Sequence, residues 1–478
     1  MSRISRQLAC VLALLCVSAT SAHSSPQLVD PQRFRESQPG GVYLRTLRNA
    51  WNLSGYGRLL RLTANSATLY NYAGDLCWRD PLLSGDPARS TVTAYYAFPR
   101  RPLSVNFAMT PDGTQYPAQW MPFIPAACLR APDTSPLFAF EAVAATLQDY
   151  YPFASARGVN WNERITRLRP QAQAAHGDAE LKAVMEQLLD GLQDAHTTLR
   201  GNAGGADFEI AGESKFTFAR LREEFAQQSG SGDFFEYLLA WRAQQQEMVF
   251  DTLETVSRRR ALNGNVIWGK LPGEVGYLAV EQMSEFEEGA SLSRDRELLA
   301  STLDHALSDL AGTRAIILDV SNNLGGWDQV ANDIAARFTD VAVVAYSKKA
   351  HSPRPTPEQT FTIKPAAARR YTRPVLLLTS DMTVSAGEVL ALSMRNFPQV
   401  RHVGSATQGA LSDVLLKGLP NGWLFGTSSE IYRDPHGRSY EVSGIPPTVE
   451  YPVYRSTDFD LGRLNAVLRA QQLALSGQ

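Results

Sequence analysis

The sequence predicts an α/β core that follows a helical domain and a small N-terminal β domain. Three patterns predict this arrangement. Short aromatic-rich runs fill residues 30–130, helical periodicity covers residues 137–264, and strand-like and helix-like segments alternate over residues 265–455. Residues 456–478 add a C-terminal helix or tail. At 478 residues the chain is long enough for two or three domains.

Residues 1–22 have the features of a secretory signal peptide. Arg3 and Arg6 precede an apolar stretch over residues 8–17, and small residues follow over 18–22. A spanning helix needs about 20 apolar residues, and this stretch and every later run are shorter. We therefore expect an exported protein, periplasmic or secreted, without a membrane span.

Two cysteines remain once the signal peptide is removed. Cys77 and Cys128 both lie in the predicted β domain, which a Pro-rich stretch over residues 122–136 ends. Because exported proteins fold in oxidising compartments, we predict a disulfide between them. Isolated cysteines without nearby histidine pairs do not form a metal site.

The helical domain is predicted from three amphipathic segments, of which the third spans residues 179–194. Its residues Leu181, Val184, Leu188 and Leu192 share one face. Residues 204–260 are polar and are predicted to be helical over 234–259. From residue 265 the alternation of strands and helices predicts an α/β layer fold with a largely parallel sheet.

The stretch around Ser385 carries the strongest chemical signal. An apolar strand over residues 375–378 ends in polar turn residues, and Ser385 stands directly before a helix. A serine at this junction lies beside the positive end of a helix dipole, which suits a nucleophile. The alternative is an ordinary N-cap, for which serine is a preferred residue.

A second strand, over residues 314–320, runs into Gly325 and Gly326. Paired glycines after a strand adopt unusual backbone angles and leave N–H groups uncovered, as an oxyanion hole requires. We predict that Gly325 or Gly326 supplies one donor and Ala386 the other. The alternative is a plain turn before the next helix.

These elements, with three that follow, resemble the C-terminal-processing (tail-specific) serine protease family. The resemblance covers about residues 266–455 and a piece upstream, and it rests on five motifs in the family's order: strand–Gly-Gly, strand–Ser–helix, Thr407-x-Gly409, Leu419-Pro420-Asn421-Gly422 and Glu441-x-x-Gly444-Ile445-x-Pro447. It implies a core with the crotonase-like β/α superhelical form. Many members carry a PDZ domain before the core, and no strand pattern for one is found here.

The resemblance also implies the base that activates Ser385. One branch places a lysine in a Thr-x-Gly-Lys-Gly element, but Ala410 occupies that position here, and the next lysine is Lys417. The other branch, similar to the tricorn core, uses a histidine and a glutamate, and His196 and Glu441 match them. In that branch a serine precedes the histidine. Here Ala195 stands there, so a helper hydroxyl is missing or comes from Thr197.

The resemblance and composition together predict a serine endopeptidase that cleaves peptides or proteins without a metal or organic cofactor. A net charge of -2 and thinly spread basic residues do not favour a nucleic-acid partner. Thr383 replaces the first glycine of the Gly-x-Ser-x-Gly elbow, which disfavours a lipase or esterase. The alternative function is a binding module for apolar or peptide ligands on the same fold.

Overall fold

A computed structural model describes residues 27–85, 95–98, 103–212, 215–228, 233–454 and 458–477. The predicted signal peptide over residues 1–22 lies outside these residues. The described chain forms a mixed α/β fold with four sheets. Within it, no helix is both long and apolar enough to cross a membrane.

The first sheet contains eight strands, all paired antiparallel in the order β1-β6-β7-β8-β2-β3-β4-β5. Alternate side chains such as Trp51, Leu60 and Phe107 point into its core. Cys77 and Cys128 have the geometry of a disulfide, with Cα atoms 4.6 Å apart. The strands are β1 Arg35–Glu36, β2 Ala50–Leu53, β3 Arg58–Leu62, β4 Ala67–Ala73, β5 Leu76–Arg79, β6 Tyr95–Ala97, β7 Ser104–Ala108 and β8 Tyr116–Met121.

Three helices follow: α1 Pro136–Tyr150, α2 Trp161–Ala174 and α3 Asp178–Leu189. Ser135 and Asn160 cap the first two, since their side chains accept the backbone N–H groups of Phe138 and Glu163. The apolar faces of all three helices pack into one core.

The chain between α3 and the central sheet differs from the helical prediction. It contains a hairpin, β9 Thr198–Ala203 and β10 Ala206–Ala211, before helices α4 Phe216–Gln228 and α5 Phe234–Phe250. Gly204 and Gly205, at φ +63° and +84°, form its two-residue loop, because only glycine adopts such angles without strain. This hairpin joins β19 Val414–Gly418 and β20 Leu424–Ser428 in a sheet ordered β10-β9-β20-β19.

The central sheet has seven strands in the order β11-β12-β13-β14-β17-β18-β22. The pairs β13–β14, β14–β17, β17–β18 and β18–β22 are parallel, as the alternation of strands and helices predicts. The pairs β11–β12 and β12–β13 are antiparallel. The strands are β11 Arg259–Ala261, β12 Val266–Leu271, β13 Val275–Val280, β14 Ala315–Asp319, β17 Val375–Thr379, β18 Val400–Gly404 and β22 Val449–Glu450.

Helices cover both faces of this sheet, which explains why its strands are continuous apolar runs. In β14, Ile316 and Leu318 face one core and Ile317 faces the other. The first core contains α6 Leu292–Asp309, α7 Asp328–Ala335 and α8 Ala386–Met394. The second contains α4, α5 and α9 Gly462–Ser476. A small sheet of β15 Val343–Ala350, β16 Glu358–Ile363 and β21 Glu430–Arg433 lies alongside.

Candidate active site

Ser385 forms a strained junction between β17 and α8. Its φ is 57° and its ψ is -124°, a conformation that non-glycine residues rarely adopt. Its N–H donates to the carbonyl of Ala410 at 3.1 Å. Although Ser385 stands at the N-cap position, its hydroxyl makes no capping hydrogen bond in the described structure, and the residue is only partly buried. The ordinary N-cap alternative therefore does not account for this serine.

Gly325 lies against the nucleophile position. A Cβ at Gly325 would stand 2.6 Å from the Cβ of Ser385. The Gly325 N–H, however, donates to Asn323 Oδ1 at 2.8 Å, and Asn323 in turn donates to the Val280 carbonyl. Because that N–H is already hydrogen-bonded, Gly325 is not available as an oxyanion donor. Its lack of a side chain instead allows the close approach of Ser385.

Gly326 and Ala386 retain available donors. Among the described residues, neither backbone N–H has a hydrogen-bond acceptor. Gly326 has φ +137°. The residues on either side of it are hydrogen-bonded to Met283: the Met283 N–H donates to the Gly325 carbonyl at 2.7 Å, and the Trp327 N–H donates to the Met283 carbonyl at 2.9 Å. Of the three predicted donors, these two can bind a developing oxyanion.

His196 lies in a turn between α3 and β9. The sequence predicts a helix over residues 179–194, just before His196, but α3 stops at Leu189. The side chain of Asp194 holds this turn: Oδ1 accepts the His196 N–H at 3.0 Å and Oδ2 accepts the Thr197 hydroxyl at 3.2 Å. Thr197 also contacts the Thr427 hydroxyl at 3.2 Å, so its hydroxyl is engaged away from the imidazole.

The surroundings of the His196 imidazole lower its pKa and so favour the neutral form. Burial lowers its pKa below the ordinary value, and the charge of Arg157 lowers it further. Asp194, Asp413 and the Ser412 backbone oppose this effect in part. The ring Nδ1 is buried without a hydrogen-bond partner among the described residues. A neutral imidazole at physiological pH can accept a proton from a serine.

Glu441 is buried and holds the segment that follows Ala410. Its Oε2 accepts the N–H groups of Leu411 at 2.9 Å and Ser412 at 3.2 Å. Burial raises its pKa well above the ordinary value, with Asp194 adding to the effect. No hydrogen bond in the described structure joins Glu441 to His196.

Residues 410–412 connect the three predicted catalytic residues. Ala410 binds the Ser385 N–H, Leu411 and Ser412 bind Glu441, and the Ser412 backbone faces His196. An extended chain rises about 3.3 Å per residue, so this segment spans at most about 7 Å. The structure thus brings Ser385, His196 and Glu441 to one short segment, although His196 lies nearly 190 positions from Ser385 along the chain.

Glu388 stands in the first turn of α8, where a carboxylate complements the helix dipole, and its contacts reach well beyond that turn. It is buried and accepts hydrogen bonds from the Thr407 hydroxyl at 2.6 Å, the Gly409 N–H at 2.7 Å and the Ala410 N–H at 2.8 Å. The Thr407-x-Gly409 motif therefore folds around this carboxylate. That contact fixes the carbonyl that receives the Ser385 N–H.

Lys417 lies elsewhere. Its ammonium group is buried between the sheets and donates to the carbonyls of Gly57 at 2.8 Å, Tyr56 at 3.3 Å and Tyr72 at 3.4 Å. Its described partners are thus backbone groups of the N-terminal sheet. Ala410, in contrast, adjoins Ser385, at the position where the other branch of the family has its lysine.

No cluster of three or more His, Cys, Asp or Glu side chains within the described ranges could hold a metal ion. The candidate site comprises a strained serine at a strand–helix junction, a half-buried histidine with a lowered pKa and two open N–H groups. This combination defines the class of serine-type hydrolases.

Comparison with known proteins finds one peptidase family that part of the chain resembles. Residues 274–451 match the profile of peptidase family S41. A carboxyl-terminal-processing protease of Synechocystis sp. (strain ATCC 27184 / PCC 6803 / Kazusa) is 29% identical over 189 residues. That match covers 38% of this chain and 40% of the relative. Residues 274–451 thus resemble the C-terminal-processing proteases, a family of serine-type peptidases, and the chain spans less than half the length of this curated relative.

Solved structures share the fold. A candidate peptidase of Parabacteroides merdae ATCC 43184 is 21% identical, with a TM-score of 0.56, over 72% of this chain and 98% of its own. Mature CPAF, solved with lactacystin, is 12% identical, with a TM-score of 0.51, over 72% of this chain and 99% of its own.

Proposed function

We propose that this protein is a serine endopeptidase that cleaves peptides or proteins with Ser385 as nucleophile and His196 as base. The observation that carries the proposal is the strained φ of Ser385, whose hydroxyl is not used for capping and lies beside Gly325. Backbone strain of this kind costs about 1–3 kcal/mol and persists where function requires the geometry.

The proposed reaction follows from these positions. Ser385 Oγ attacks the scissile carbonyl carbon while His196 takes its proton. The carbonyl oxygen becomes an oxyanion bound by the N–H groups of Gly326 and Ala386. Collapse of the intermediate breaks the C–N bond, and the leaving amine receives the proton from His196. Water then hydrolyses the acyl-enzyme by the same steps.

Glu441 has the role of orienting His196 in this proposal. Its two hydrogen bonds to the 411–412 backbone support an indirect form of that role, because Ser412 faces the imidazole. A carboxylate that fixes the surroundings of a catalytic base keeps it in one orientation and so lowers the cost of reaching the transition state.

Export to the periplasm or medium is a further part of the proposal. It rests on the signal-like residues 1–22 and on the disulfide geometry of Cys77 and Cys128, which suits an oxidising compartment. The substrate in that setting would be a peptide or protein chain.

A fluorophosphonate probe tests this function, since it needs an activated serine and an oxyanion hole but no knowledge of the substrate. Wild type should label, Ser385→Ala should not, and His196→Ala should lose several orders of magnitude in labelling rate. Lys417→Met, which keeps the buried volume, should label at the wild-type rate once corrected for folded protein. If folded wild type never labels, the binding-module alternative replaces the peptidase.

A further inference from the structure

One arginine of the helical region contacts three segments that surround the candidate site. Arg157 lies in the turn after α1, and its side chain is only 5% exposed. Its Nη2 donates to the Gly409 carbonyl at 3.1 Å and to Glu441 Oε1 at 3.3 Å. Its Nε lies 3.9 Å from Asp194 Oδ2. The guanidinium therefore hydrogen-bonds two segments and forms a longer ion pair with a third, and its Nε has no hydrogen-bond partner among the described residues.

Each of these partners controls a different catalytic group. Asp194 holds the main chain of His196, and Glu441 holds residues 411–412. Gly409 precedes Ala410, whose carbonyl receives the Ser385 N–H. A displacement of Arg157 would therefore change the spacing between nucleophile and base.

The carboxylates also require a cation. The side chains of Asp194 and Glu441 are 0% and 2% exposed, and the charge of Asp194 helps burial to raise the pKa of Glu441, whereas Arg157 lowers it. Glu388 faces Glu441 as a third carboxylate. A buried charge without a partner is strongly destabilising, and the planar fork of arginine can serve two carboxylates and a carbonyl together.

We propose that Arg157 is the positioning residue of this site, which joins the His196 turn to the Glu441 segment and to the backbone beside Ser385. The proposal rests on the proposed peptidase function. Its core is geometric: no other cation in the described structure forms ion pairs with both Asp194 and Glu441.

The charge of Arg157 also predicts a pH effect. The ionisable groups that face His196 are Asp194, Asp413 and Arg157, and Asp413 is itself paired with Lys348 at 2.6 Å. Arg157 lowers the pKa of His196, whereas the two carboxylates raise it. A base must be deprotonated to act, so removal of Arg157 should shift the acid limb of the pH–rate profile to higher pH.

The experiment measures the second-order rate of fluorophosphonate labelling between pH 4.5 and 9, with thermal unfolding followed by circular dichroism. In Arg157→Met we expect the acid midpoint to rise by about one pH unit and the plateau to fall at least tenfold. In Arg157→Lys the charge remains, so the midpoint should stay while the plateau still falls, because a lysine cannot form the three contacts together.

Arg164→Met is the matched control. Arg164 also lies in the helical region and clamps the chain before His196, but it donates to the carbonyls of Leu188 and Asp190 and not to a carboxylate. We expect lower stability and an unchanged midpoint. Arg164→Met loses the same charge as Arg157→Met and two backbone contacts rather than one, but no ion pair with a carboxylate.

Folded Arg157→Met with an unchanged midpoint would overturn the proposal, whatever its plateau, since a structural role alone lowers the plateau. If Arg157→Met does not fold, Arg157→Lys decides: a wild-type plateau overturns the proposal and a lowered plateau at an unchanged midpoint supports it. Absence of labelling in folded wild type would instead refute the peptidase function.

Discussion

The closest test of the nucleophile's surroundings is Gly325→Ala. The added methyl group would lie 2.6 Å from Ser385 Cβ, 3.1 Å from the Val384 carbonyl oxygen and 3.2 Å from Ser385 Oγ. Non-bonded carbon atoms prefer about 3.5–4.0 Å, so the two chains must separate by about 1 Å. A misplacement of that size can lower a rate about 100-fold.

Gly437→Ala separates the two costs of Gly325→Ala, which are backbone strain at positive φ and steric crowding. Gly325 has φ +92°, and Gly437, in an exposed turn, has φ +83° with no atom within 4 Å of its added Cβ. Alanine at such angles costs roughly 1–2 kcal/mol, less about 0.4–1 kcal/mol gained from a stiffer unfolded chain. Only Gly325→Ala adds crowding, which typically costs about 1–3 kcal/mol.

The assay combines urea unfolding with the labelling rate per folded molecule. Gly437→Ala should lose about 0–1.5 kcal/mol and label at the wild-type rate. Gly325→Ala should lose about 1–3 kcal/mol more and label about 100-fold more slowly. Equal labelling rates for the two variants would refute the assignment of Ser385 as a nucleophile packed against Gly325.

Three further outcomes are expected. In urea unfolding, the free energy of unfolding of Ser385→Gly should exceed that of Ser385→Ala by about 0.5–1 kcal/mol, because glycine relieves the strain at φ 57° at some cost in chain entropy. Equal free energies of unfolding would contradict that strain. Alkylation without reductant should find no free thiol on Cys77 or Cys128 by mass spectrometry, and reduction should lower stability by up to about 4 kcal/mol, given 51 positions between them. Labelling of wild type should persist below pH 6.5 and fall only at lower pH, since burial lowers the pKa of His196 and protonation removes the base; a midpoint above the ordinary histidine value would contradict this.

The sequence alone was sufficient where the signal is local. The strand–Ser385–helix junction, the Gly325–Gly326 pair and the parallel strands all depend on residues close to one another in the chain. Apolar periodicity and glycine angles act over a few positions, so they are visible without a fold. The crotonase-like superhelix and the signal peptide stay predictions.

Other features depended on the tertiary structure. The sequence predicts a helical domain over residues 137–264 and misses the β9–β10 hairpin in it, because β9 gains stability from pairing with β20, far along the chain. Its Gly204-Gly205 pair was the available signal for a turn. The position of Glu388 in the sequence predicts only that it complements the helix dipole. Its hydrogen bonds with Thr407, Gly409 and Ala410 arise only when these distant segments pack together.

The family resemblance indicated His196, Glu441 and Ser385, but not how they are held. Arg157 carries no motif, and nothing near it in sequence distinguishes it from the other arginines. Its role depends on two carboxylates that become buried beside each other only when the helical region packs on the core. Local sequence thus determined which groups can react, and tertiary packing decided which charges must be paired, because the cost of a buried charge arises only once water is excluded.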